Sequence, residues 1–134
     1  MKKSRLDTKH HLTDTDSRYW CNQADKLWSQ IIHIENHCAV CGKIGKGLNA
    51  HHLLPKHYYR WLRHDLRNGI LLCPFCHMFS GKSAAHMNSI WFCNWLMINR
   101  KEQWEWCLER LESKVEGSLN YYKEYERLRL EYKI

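Results

Sequence analysis

The chain has 134 residues, 44% of them hydrophobic, and its 21 Lys and Arg outnumber its 14 Asp and Glu to leave a formal charge of +7. No apolar run is long enough to span a bilayer, and the opening MKKSRLDTKHHLTDTDSRYW lacks the apolar segment of a secretory signal. A membrane partner is therefore not expected and a cytoplasmic location is. Seven cysteines in such a chain argue against a disulfide framework.

Residues 1–16 are polar and without period, and read as a flexible arm; residues 17–134 are expected to form a single domain with a modest core. Asp16 or Ser17 is placed to cap a helix. Trp20, Ala24, Leu27, Trp28, Ile31 and Ile34 recur at helical spacing, which predicts an amphipathic helix over roughly 18–35. A cysteine knuckle with Gly42, Gly45 and Gly47 follows as a tight-turn segment. Leu48 to Leu54 reads as a short strand stopped by Pro55. Residues 56–67 form a long basic, aromatic connection with room for a helical turn. GILLC at 69–73 is a second strand, and Pro74 suits the first turn of a helix over PFCHMFS.

Beyond the link at GKSAAHMN, Asn88 or Ser89 can cap a helix carrying Ile90, Trp91, Trp95, Leu96 and Ile98. A further helix is expected over about 101–115, with Trp104, Leu108, Leu111 and Val115 on one stripe. Gly117 and Ser118 read as a break, and a last helix over about 119–132 carries Tyr122, Tyr125 and Leu128. Cys21, Cys93 and Cys107 lie among these apolar positions and read as small buried side chains.

The charge is unevenly spread. Residues 43–67 hold six Lys and Arg against the single acid Asp65, whereas residues 101–134 hold seven against eight Glu. The basic stretch suits a polyanion, most simply nucleic acid, and Lys56, Arg60, Arg63 and Arg67 are its candidate phosphate contacts.

Two CxxC pairs, Cys38 with Cys41 and Cys73 with Cys76, stand 31 residues apart. Four thiolates make a closed tetrahedral zinc site with no position open to substrate, so the expected ion is structural. It would tie the loop before the first strand to the helix after the second. Within that frame lie His51 and His52, whose side chains should point to opposite faces of a strand, then Asn68 before the second strand and His77 directly after the last cysteine.

This order of paired CxxC, AHHLLPKH, RHDLRNGILLCPFCH and the spacing His52-x15-Asn68-x8-His77 resembles the HNH endonuclease family. The resemblance is close over about residues 38–80. It runs more loosely through ADKLWSQIIHIENHCAVCG and CHMFSGKSAAHMNSIWFCNWL, flanks similar to those of phage and prophage members. It implies an α+β fold: a small ββα-metal core with a structural zinc over about 38–82, flanked by N-terminal and C-terminal helices, the latter a cover over about 88–132. It implies a metal-dependent endonuclease hydrolysing phosphodiester bonds of DNA, double-stranded or branched, in the cytoplasm of a bacterial host if phage-encoded. It makes His51 the first ligand of a catalytic divalent ion, His52 the general base, His77 the ligand on the helix and Asn68 the brace of the loop between the strands. The family often supplies another ligand four residues after the last histidine, where Gly81 stands here, and His86 in SAAH is the candidate replacement.

The chemistry supports this division. A base must keep a nitrogen for its proton, so one histidine cannot both take a proton and be spent on a metal. A divalent ion supplies charge for the phosphate and the leaving oxygen, and Mg2+, Mn2+, Ni2+ and Zn2+ remain open. A zinc-stabilised nucleic-acid-binding module without catalysis would explain the cysteines and the basic stretch, but would leave His51, Asn68 and His77 without a role. A branched-DNA or RNA substrate and a homodimer that cuts both strands are further open alternatives.

Overall fold

A computed structural model describes residues 17–115 and 119–132. The expected arm over 1–16, a cap by Asp16 and the break at Gly117 and Ser118 lie outside the described residues. The fold is α+β, with a two-stranded antiparallel sheet among helices. No helix among the described residues is long and apolar enough to cross a membrane. The described residues form two compact units: Ile32–Lys114, and the stretch up to Ile31 with the segment from Val115 onward.

Helix α1 spans Arg18–Ile32, buries Cys21, Ala24, Leu27, Trp28 and Ile31, and tightens into a 3-10 turn over His33–Glu35. Ser17 Oγ accepts a hydrogen bond from the Trp20 amide at 3.4 Å, a weak N-terminal cap. Ile34, expected on the apolar stripe, is 67% exposed, because the change from 3.6 to three residues per turn rotates it off the buried face. The partner of α1 in its own unit is the last helix, Tyr121–Glu131. There the Trp20 ring lies 4.7 Å from that of Tyr122 and 5.4 Å from that of Tyr125, an edge-to-face and a tilted contact.

In the larger unit, β1 (Asn49–His52) pairs with β2 (Gly69–Leu72) so that His51 faces Ile70 and His52 faces Gly69. The first strand is shorter than the expected 48–54. Its pairing gives way to Asn68, whose carbonyl accepts from the Leu53 amide and whose side chain takes over at Leu54. Strand β2 is buried along its whole length. Ile70 and Leu72 join Cys38, Cys73, Cys76, Phe92 and Leu96 in one apolar core. The connection contains two 3-10 turns, Arg60–Leu62 and Leu66–Asn68, the second capped by the Asp65 side chain.

The helix expected over PFCHMFS is a single π-helical turn, Phe75–Phe79, closed by the Ser80 amide on the Phe75 carbonyl. Helix α2 (Ser89–Asn99) is capped by Asn88 Oδ1 on the Trp91 amide, and α3 covers Lys101–Arg110. The last helix, Tyr121–Glu131, is α4. The buried residues of α3 are Trp106 and Cys107, and the stripe expected there differs: Leu108, Leu111 and Val115 are 44–49% exposed. The α3 helix stops at Arg110, so Val115 never joins its face. Of the three isolated cysteines, Cys21 and Cys107 are buried and Cys93 is half-buried.

Candidate functional site

Cys38 and Cys41 sit in the turn before β1, Cys73 directly follows β2, and Cys76 lies in the π turn. The four sulfurs lie within 4.8 Å of one another, and Cys41 Sγ is 3.6 Å from Cys73 Sγ. Tetrahedral zinc with bonds of about 2.3 Å places its sulfurs about 3.8 Å apart, so this donor set fits such an ion. The knuckle is closed by the Cys38 amide on the Lys43 carbonyl and the Gly42 amide on the Cys38 carbonyl, with Gly42 at φ +77°. Burial pushes the Cys41 and Cys76 thiols up. At Cys38 burial acts the same way but is outweighed by the amides of Cys41, Cys73 and Val40, which bring its thiol down to about 7. The four cysteines could hold a structural ion such as zinc.

A second cluster lies one residue further on. His77 Nε2 is 3.1 Å from His51 Nδ1 and 3.0 Å from His86 Nε2. Three imidazole nitrogens converging this closely cannot all be satisfied by shared protons, because a neutral ring offers one donor and one acceptor. Metal–nitrogen bonds of about 2.0–2.1 Å at tetrahedral angles put ligand nitrogens about 3.3 Å apart, so the donor set fits a divalent ion with further positions open. Burial, then the neighbouring His77, His86 and His52, lowers the His51 pKa to about 3, and burial followed by His86 lowers that of His77. Both rings are therefore neutral, the form that ligates, at neutral pH.

His52 is turned elsewhere. Its Nε2 is 2.9 Å from the Arg63 carbonyl; a carbonyl can only accept, so this contact puts the proton on Nε2 and the lone pair on Nδ1. His51, His52, His77 and His86 nevertheless all line one cavity of about 830 Å³, whose other walls include Lys56, Phe92, Leu96 and Trp104. Asn68, 0% exposed, joins none of these rings. Its Oδ1 accepts from the Leu54 amide at 2.7 Å, and its Nδ2 donates to the carbonyls of Leu54 and Leu62 at 3.1 Å. It ties the start of the loop at Leu54 to Leu62, the residue preceding the Arg63 whose carbonyl holds His52.

The basic side chains are dispersed along that loop. Lys56 lines the cavity and Arg60 is exposed. Arg67 is held by both carboxylate oxygens of Asp65 and lies 5.0 Å over the Trp106 ring. Tyr59 and Trp61 fasten the loop, donating to the Leu111 carbonyl and to Ser113 Oγ. Two contributors had no sequence signal. The Arg63 carbonyl is backbone, and any residue could supply it. Gln103 donates to the carbonyls of Arg67 and Gly69 from a helix 34 residues away in sequence from Gly69.

A family model described as HNH endonuclease matches residues 38–86, the segment that holds both clusters. Among curated proteins, Anaredoxin of Nostoc sp. is 36% identical over 53 residues, which are 39% of this chain and 67% of that protein. No solved structure matches.

Proposed function

Because the chain belongs to the HNH endonuclease family, we propose that it is a metal-dependent nuclease that hydrolyses phosphodiester bonds of DNA, with His52 as general base. The observation that carries this reading is the shared cavity. Its lining includes three imidazoles whose nitrogens converge and a fourth imidazole oriented by a carbonyl. On this reading β1, β2 and the π turn are the ββα-metal unit, and the thiol cluster is its structural zinc site.

His51, His77 and His86 would hold the catalytic ion, which when bound would polarise a non-bridging phosphate oxygen and stabilise the leaving 3′ oxygen. The cluster contains no carboxylate, and no Asp or Glu occurs between Asp65 and Glu102. Imidazoles suit Ni2+ or Zn2+ better than Mg2+ or Mn2+, and neutral ligands leave the positive charge available to a phosphate. His52 Nδ1 takes the proton of the attacking water. The Arg63 carbonyl keeps the proton on Nε2, holds the ring in register and stabilises the imidazolium that forms. Asn68 acts at a distance by fixing that loop. Lys56, Arg60, Arg63 and Arg67 contact phosphates and position the strand without reading bases. A host cytoplasm, a phage origin and a homodimer belong to the same reading.

The test is cleavage of supercoiled plasmid by wild type and His52→Ala, after EDTA and with each of Mg2+, Mn2+, Ni2+ and Zn2+ restored. Metal-dependent nicking by wild type alone is expected. Retained DNA binding with no cleavage under any metal would replace this reading with that of a non-catalytic binding module.

A further inference from the structure

The two clusters are not independent features of the fold. Cys76 and His77 are consecutive, and the return strand of chain that brings His86 to the site is bonded to those same two residues. The Ala85 amide donates to the Cys76 carbonyl at 2.8 Å and the His86 amide to the His77 carbonyl at 3.1 Å. His51 is carried by β1, which is paired to β2, and β2 runs directly into Cys73. The cysteine knuckle is itself sewn to β2 by the Ala39 amide on the Leu71 carbonyl. Each of the three imidazoles is thus held by backbone that converges on Cys73 and Cys76.

Little else holds the π turn. It is five residues long, too short to be stable alone, and two of its apolar side chains, Phe75 and Phe79, are 59% and 73% exposed. Its inward anchor is Cys76, 2% exposed, whose amide also approaches Cys73 Sγ at 3.5 Å. No side chain orients His77 from behind, since its Nδ1 is buried without a hydrogen-bond partner among the described residues. The direction of the His77 ring is therefore set by the turn.

We propose that the thiolate site positions the histidine site: an ion on Cys38, Cys41, Cys73 and Cys76 is required for His51, His77 and His86 to bind theirs, and Cys76 and the Ala85 amide are positioning residues for that centre. This rests on the reading of the three histidines as a metal centre. The coupling is reciprocal, so an ion on the histidines also tightens the thiolate site by the same factor.

The test follows Ni2+ binding to the full chain by calorimetry, with Co2+ absorption reporting separately on the thiolates through sulfur-to-metal charge transfer. Ala85→Pro removes the amide that bonds Cys76 but leaves all seven ligands in place. It is expected to keep the thiolate–Co2+ band and to weaken Ni2+ at the histidines by at least about tenfold. Cys41→Ala is expected to lose the thiolate band and the Ni2+ site together. Wild-type Ni2+ affinity in Ala85→Pro, or in Cys41→Ala lacking the thiolate ion, would overturn the coupling. Absence of any Ni2+ binding lost on His51→Ala in the wild-type background would instead overturn the histidine centre itself, and the coupling with it.

Discussion

His51 and His52 are neighbours in one strand yet are held by different partners: His51 Nδ1 lies 3.1 Å from His77 Nε2, while His52 Nε2 donates to the Arg63 carbonyl at 2.9 Å. The strand's alternation gives the rings different partners, while both still line one cavity. On the proposed reading, these two adjacent imidazoles have different roles, His51 as a metal ligand and His52 as the base. Substitutions should separate those roles. His52→Ala is expected to lose roughly 10²–10⁴-fold in single-turnover cleavage while keeping its Ni2+ affinity, the range for removal of a general base. His51→Ala is expected to lose Ni2+ affinity first and cleavage as a consequence. Equal loss of Ni2+ affinity in both variants, by calorimetry, would remove the distinction.

Asn68 contributes through structure. Three hydrogen bonds at a fully buried side chain join Leu54 to Leu62. Asn68→Ala leaves an amide and two carbonyls without these partners, at about 2–5 kcal/mol of unfolding free energy. Urea denaturation checks this. Cleavage by the folded fraction should fall less than for His52→Ala, because the Arg63 carbonyl would be displaced while the proposed base, His52, is retained. A change in stability below about 0.5 kcal/mol would show that the loop does not depend on this brace.

The histidine cluster also sets a pH dependence. The His51 pKa lies at about 3, below the 6.5 of an unperturbed imidazole, chiefly because the ring is buried, and that of His77 is lowered for the same reason. As pH falls below 6.5 the unfolded chain takes up protons that the folded chain refuses, so stability falls with pH. The contribution is fully present above 6.5 and lost progressively towards about 3. In the EDTA-treated protein, urea midpoints measured between pH 7.5 and 4.5 should decline more steeply in wild type than in His51→Leu. Parallel declines would mean that His51 is not the group responsible.

The parts of this site that were legible in the sequence are those that depend on local chain geometry. A CxxC turn needs only its own residues to present two sulfurs, and His77 inherits its place from Cys76. His86 was legible as a candidate replacement ligand, but nothing in the sequence placed it at the cluster, because its approach depends on backbone bonds between residues 85–86 and 76–77. The orienting Arg63 carbonyl left no trace, since a carbonyl is common to all residues. The face of α3 was misread for a related reason. Leu108 and Leu111 fit a helical stripe, but they border the cavity, while the core takes Trp106 and Cys107. Periodicity identifies an apolar face without saying whether protein or open space lies against it. The π turn was likewise beyond a propensity argument, because it is closed by one backbone bond, the Ser80 amide on the Phe75 carbonyl, and not by the helix preference of its residues.

Chelation should distinguish the clustered cysteines from the merely buried ones, if the cluster holds an ion. Cys38 is 0% exposed and belongs to the four-sulfur cluster, whereas Cys107, 6% exposed, is a buried side chain of α3 packed with Leu54, Leu62 and Trp106. Burial alone would make the two substitutions similar, each costing about 1–3 kcal/mol for a hydroxyl in an apolar setting. If the cluster holds zinc, Cys38→Ser also forfeits binding free energy that exists only in the folded state. Cys38→Ser is therefore expected to copurify with no stoichiometric zinc and to melt well below Cys107→Ser, with EDTA bringing wild type down towards Cys38→Ser and leaving Cys38→Ser unchanged. Elemental analysis alongside thermal melts reads both effects. Wild type that melts identically with and without a chelator, and carries no zinc after purification, would leave the four thiols as packing residues only.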